Sequence, residues 1–200
     1  MPLSPAAPRK HLHTRRITVT GYAREDGLWD IEGHMTDNKT YTFQNNWRGT
    51  VTPDIPLHEM WVRLTLDDGY TVVEAEAVSD HTPLSICANI TPEYKKLVGL
   101  KVGPGWNRRV KELLGGTRGC THLTELMGPI ATVAFQTISV EKNRRRAKNP
   151  EEGRLISDGE KMARKPAFVD GCHAWASDGP AVKKEFPQFY TGPKDAETAE

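Results

Sequence analysis

The sequence is short of cysteine and lacks long apolar runs and any marked charge imbalance. Cys87, Cys120 and Cys172 are odd in number and far apart, which excludes a disulfide framework and points to a reducing, cytoplasmic setting. No apolar run is long enough to span a bilayer, and the basic start MPLSPAAPRKHLHTRR leads into no signal-like segment. A formal net charge of +1 supplies no overall field to recruit nucleic acid or an anionic membrane. Paired Cys-x-x-Cys motifs, a GxSxG elbow, HExxH and a phosphate-binding glycine loop are all missing, so no nucleotide cofactor is expected.

Present instead is a polar chain of 200 residues, 37 % apolar and 26 % charged, enough for one buried domain. Residues 1–15 read as a disordered arm, and residues 16–140 as a single α+β domain. Within it, Arg16 to Tyr22, Leu28 to Met35 and Lys39 to Phe43 alternate in hydrophobicity. Asp26-Gly27 and Asp37-Asn38 are the turn signals between them, which predicts a three-stranded meander. Asn45 to Pro56 reads as a loop. A hairpin turning at Asp68-Gly69 follows, with His58, Met60, Val62, Leu64 and Leu66 on one face by period two. Helical spacing takes over after Asp80: a short element from Pro92 to Leu100, then one from Gly105 to Leu114 that stops at Gly115-Gly116. A long helix runs onward from Thr121, and Pro129 must either kink it or mark its start. Residues 141–166 are expected as an exposed charged connection, 167–190 as a segment docking back on the domain, and 191–200 as a frayed tail.

Chemistry concentrates in two places. In Gly119-Cys120-Thr121-His122 a cysteine sits at an expected helix N-terminus, where unpaired N–H groups favour a thiolate. His122 and Glu125 share a helix face and could relay a proton or bind a metal. The late pair Cys172-His173 would complete, with Cys120 and His122, the S₂N₂ set accepted by zinc or iron. His58 stands in phase with an apolar strand face, and His34 shares its face with Asp30 and Glu32, so either is a candidate general base. A buried inert cysteine, a capping histidine and a solvated glutamate are the bland alternatives for the same residues.

Two resemblances follow from these motifs. Asp26-Gly-Leu-Trp-Asp-Ile-Glu-Gly-His34, His58-Glu-Met-Trp-Val-Arg-Leu-Thr65 and Gly115-Gly-Thr-Arg-Gly-Cys-Thr-His-Leu-Thr-Glu125 resemble a bacterial family of unknown function with a GCTHL motif. The order of a Met-x-Val-x-Leu strand, an Asp-Asp-Gly hairpin, a Gly-Cys before an apolar helix and a late Cys-His is similar to the iron–sulfur scaffold proteins of the IscU/NifU type. That likeness implies an antiparallel sheet packed against a few helices, with His58, Cys120 and Cys172 converging at one sheet end. No cysteine precedes Met60, and the stretch from Ser79 to Arg118 has no counterpart in the scaffolds, so the likeness bears on fold more than on cluster assembly.

The reading is therefore a small cytoplasmic enzyme of lyase or hydrolase type acting on an organic small molecule, with an aromatic one among the candidates. His58 or His34 would be acid or base, Cys120 nucleophile or ligand, His122 and Glu125 an orienting pair, and Trp29, Trp61 and Trp175 walls. Zinc or iron would be the cofactor, and a homodimer is expected on general grounds. A non-catalytic metal or iron–sulfur carrier is the alternative, and an interaction module using residues 141–166 ranks third.

Overall fold

The computed structural model describes residues 3–148, 165, 166 and 168–193, and the chain divides into two compact units, residues 1–144 and 145–200. The first unit is α+β. Strands β1 (His13–Ala23), β2 (Trp29–Lys39), β5 (His58–Leu66) and β6 (Val72–His81) form one antiparallel sheet in the order β1-β2-β5-β6. Between β2 and β5, β3 (Phe43–Asn45) and β4 (Gly49–Val51) make a separate two-stranded ribbon.

The expected turns at Asp26-Gly27 and Asp67 to Tyr70 are present. Gly27 takes φ +87°, and Arg24 N donates to Leu28 O across the turn. Three expectations are corrected. The predicted arm gives way to strand at His13, because Leu12 O and His11 O accept bonds from Thr40 and tie this end of the chain to the end of β2. Asp37-Asn38 is no turn but the last part of β2, so β2 pairs next with β5 rather than with the segment from Lys39 to Phe43. The stretch from Asn45 to Pro56, read as a loop, contains β4.

Burial along β2 alternates strictly, with Trp29, Ile31, Gly33, Met35 and Asp37 on the covered face. The covering layer consists of a 3-10 helix (Ser85–Leu97), α1 (Trp106–Leu114), α2 (Thr121–Glu125) and α3 (Met127–Lys148). Pro129 sits in the first turn of α3, where its missing N–H breaks no helical bond, so it marks a start rather than a kink. Ile130, Ala134 and Ile138 form the buried stripe of α3, each leucine-sized side chain contributing about 1.5–3 kcal/mol.

Two strand glycines seat that helix. A Cβ at Gly33 would lie 2.9 Å from Ile130 Cδ1, and one at Gly21 only 2.1 Å from Thr137 Oγ1. Trp106 closes the layer by donating its indole N–H to Met127 O at 2.9 Å. Among the described residues no helix is long and apolar enough to cross a membrane.

The second unit has its own small core. It holds a 3-10 turn (His173–Trp175), α4 (Pro180–Glu185) and a 3-10 turn (Pro187–Phe189). Phe168, Trp175 and Phe186 pack at steep mutual angles with ring centroids 4.8–5.8 Å apart, and Val182 is fully buried. Most of the expected connection at 141–166, and of the tail at 191–200, lies outside the described residues.

Candidate active site

Antiparallel register brings three polar residues into one row across three strands. Arg15 of β1 stands opposite Asp37 of β2, which stands opposite His58 of β5. All three point to the covered face, because each is in phase with that strand's apolar residues. Asp37 is only 2 % exposed, and burying a lone carboxylate is costly, so its partners must be complete. They are. Arg15 donates from Nε to Oδ1 at 2.8 Å and from Nη2 to Oδ2 at 2.6 Å, a two-pronged fork. His58 Nδ1 lies 3.0 Å from Oδ2, and His13 Nε2 lies 3.2 Å from Oδ1.

Helix α2 supplies the other wall. The His122 ring lies over His58 with centroids 3.9 Å apart and planes inclined by 30°. Cys120 Sγ is 3.8 Å from His122 Nδ1. Glu125, on the same helix, closes the row by pairing with Arg15 Nη1. Five residues are too few for a helix to persist alone, so α2 depends on its anchors. The buried Tyr94 is one: its hydroxyl donates to Cys120 O at 2.9 Å, accepts from Cys120 N at 3.2 Å and meets Thr124 Oγ1 at 2.8 Å.

Charge states follow from this packing. Burial pushes the Asp37 carboxyl up, but the Arg15 guanidinium and His58 outweigh it and hold the group below its ordinary range. Burial lowers His58, helped by the neighbouring His122 and opposed by Asp37. Burial also lowers His122, with Arg15 adding to the effect. The centre at neutral pH is thus a carboxylate, a guanidinium and two neutral imidazoles.

Asp37, His58 and His122 each offer one ligand atom, and those atoms lie within 4.8 Å of one another. An N···O separation of 3.0 Å between His58 and Asp37 fits a hydrogen bond, and it equally fits one edge of a coordination shell with bonds of about 2.0–2.2 Å. Asp37 argues for the hydrogen bond, because four nitrogens already crowd two oxygens with about four lone-pair sites.

Of the residues singled out from sequence, His58, Cys120, His122 and Glu125 come together here. His34 does not: it lies on the opposite face of the sheet, stacked on Trp61 at 3.6 Å and 3.1 Å from Glu59 Oε1. Trp29 is fully buried in the core, its indole N–H donating to Asp68 at 2.9 Å, and it presents no surface to a ligand. Cys172, His173 and Trp175 belong to the second unit, where Cys172 is exposed and Trp175 is part of the aromatic cluster. One cavity of about 430 Å³ lies elsewhere in the first unit. Arg63, Thr65, Glu76 and Lys95 help to line it, and none of the residues of the centre does.

Sequence reasoning missed Asp37, Arg15, His13 and Tyr94. Asp37 carries a signal that period-two reading could have caught, a carboxylate in phase with Trp29, Ile31 and Met35.

Fold and site together define an α+β domain with a histidine–carboxylate centre between its sheet and its helices. The chain belongs to the family DUF2889, described as a protein of unknown function, whose profile matches residues 13–136. That span begins at His13 and includes every residue of the centre. No curated protein and no solved structure matches the chain. The likeness to iron–sulfur scaffolds accordingly rests on the order of sequence features alone.

Proposed function

We propose that the protein is an enzyme of lyase or hydrolase type whose general base is His58. The observation that carries this reading is the contact of His58 Nδ1 with the buried Asp37 carboxylate at 3.0 Å. With the Nδ1 proton donated to Asp37, the Nε2 lone pair is left free to take a proton from a bound organic molecule or from water. Burial favours neutral imidazole in both His58 and His122, the form a base needs at neutral pH. Arg15 holds Asp37 in place, and Glu125 braces Arg15. Cys120, beside His122 and carrying a free thiol, is the candidate nucleophile. An aromatic substrate is not favoured by Trp29, which is buried, or by Trp61, which is on the other face. Three free cysteines support a reducing, cytoplasmic location.

A second reading, a zinc or iron centre on Asp37, His58 and His122, is favoured by their mutual closeness. It requires Asp37 to exchange its bond with His58 for one to the ion.

Elemental analysis of full-length protein purified anaerobically without chelator separates these readings. The acid–base reading expects less than about one tenth of an equivalent of metal in the wild type and in His58→Gln. Near-stoichiometric zinc or iron, lost in His58→Gln and kept in Cys172→Ser, overturns it in favour of the three-residue centre. Metal lost in Cys172→Ser overturns both readings, because that residue is not part of the centre.

A further inference from the structure

The two outer strands of the sheet are treated differently. Along β6, the 3-10 helix Ser85–Leu97 packs against the strand. Val72 exchanges backbone hydrogen bonds with Leu100 and Gly99, and Thr71 bridges to Lys101. β1 has no strand on its outer side among the described residues, although it is eleven residues long. An edge of that length exposes a row of unpaired N–H and C=O groups, which proteins ordinarily blunt with proline, a bulge or free charges.

β1 has little of that protection. It contains no proline, and its register with β2 runs unbroken from His13 to Ala23. Arg15 is occupied by Asp37 and Glu125. In mid-strand Ile17 remains 38 % exposed.

We infer that β1 pairs antiparallel with β1 of a second copy, about a two-fold axis through Thr18, making one sheet continuous across both copies. A second copy is the occupant because the strand complements itself. In the full-overlap register Thr18 faces Thr18 of the partner subunit, and Ile17 faces Val19 of the partner subunit. A Thr–Thr pair can hydrogen-bond across strands, and two β-branched side chains pack well on a pleated surface. Arg16 faces Thr20 of the partner subunit. Because Thr20 pairs with Glu32 within a copy, Arg16 is aimed along that row at Glu32 of the partner subunit, an opposite charge. Arg15 faces Gly21 of the partner subunit, so it keeps its bonds to Asp37. Registers centred on Arg15 or Arg16 would set like charges face to face. The axis at Thr18 also keeps the helices of both copies on one side, since residues of equal parity meet.

Sedimentation of the full chain across a range of concentrations tests this, together with Thr18→Lys and Thr18→Glu. Thr18 is exposed, so both variants should keep the wild-type circular dichroism spectrum. The expected result is a wild-type dimer, at least tenfold weaker self-association in each variant alone, and restored dimer on mixing the two. Thr18→Cys adds a check independent of stability: mild oxidation should join two copies through that residue, mapped by mass spectrometry, whereas Tyr22→Cys should not. A wild type that stays monomeric at high micromolar concentration overturns the inference. So does a dimer that neither charge variant weakens.

Discussion

His58 and Glu59 are neighbours in β5, yet they anchor two quite different histidine–carboxylate clusters on opposite faces of one sheet. On the covered face His58 meets Asp37, which is 2 % exposed. On the other face Glu59, 23 % exposed, is shared by His34 at 3.1 Å and His81 at 2.8 Å. Each carboxylate stands between two histidines, and the covered cluster adds Arg15 and the overlying helices. Water screens the charges around Glu59, so its contacts are optional. The carboxylate of Asp37 has no such relief and must be met by protein donors, hence the fork from Arg15 and the contacts with His58 and His13. Burial turns an ordinary surface pairing into a centre of fixed geometry and fixed charge.

The hardest test of this contrast removes each carboxylate. Asp37→Ala takes from the part-exposed Arg15 and from His58 the carboxylate they share, and should cost about 1.5–3 kcal/mol in urea unfolding. Glu59→Ala should cost no more than about 1 kcal/mol. Equal losses would break the comparison.

A smaller effect is expected from the helix seat. Gly33→Ala forces a methyl against Ile130 and should destabilise by about 1–3 kcal/mol. Thr20→Ala, on an exposed position of the same sheet, should stay within about 0.5 kcal/mol. If Gly33→Ala were neutral, α3 would not be held as tightly on the sheet as the contrast requires.

The finest test is pH. His58 and His122 are held below the ordinary imidazole value of 6.5, so the folded protein binds fewer protons there than the unfolded chain. The stability this provides is fully present above that value and is lost as pH falls through the folded values. Asp37 is also depressed, so its share persists to lower pH and disappears only as pH falls through its own folded value, below the usual carboxylate range. Urea midpoints should therefore decline below about pH 6.5, and less steeply in His58→Gln than in the wild type. A matching slope in both would remove His58 from the comparison.

Much of the fold is legible from short-range patterns. The period-two face of β5, the Gly27 turn and the Gly115-Gly116 stop are local properties of the chain. The failure at Asp37-Asn38 is local too: the dipeptide suits a turn, but the buried row at the end of β2 outweighs that preference. For the site, His58 and the Cys120 to Glu125 segment stand out as chemistry-bearing residue types. Arg15 does not, because its role exists only through cross-strand register with a residue itself taken for a turn. No composition or spacing reports such a pairing.

Arg15 and Glu125 meet across 110 positions of sequence. Closing so long a loop is slow relative to forming hairpins or single helices. During synthesis, β1, β2 and β5 leave the ribosome well before α2 exists, so Asp37 must wait with Arg15 for the far wall to be made. The centre is therefore a late product of folding, and a chain cut short before His122 carries the row of three strands without its second imidazole.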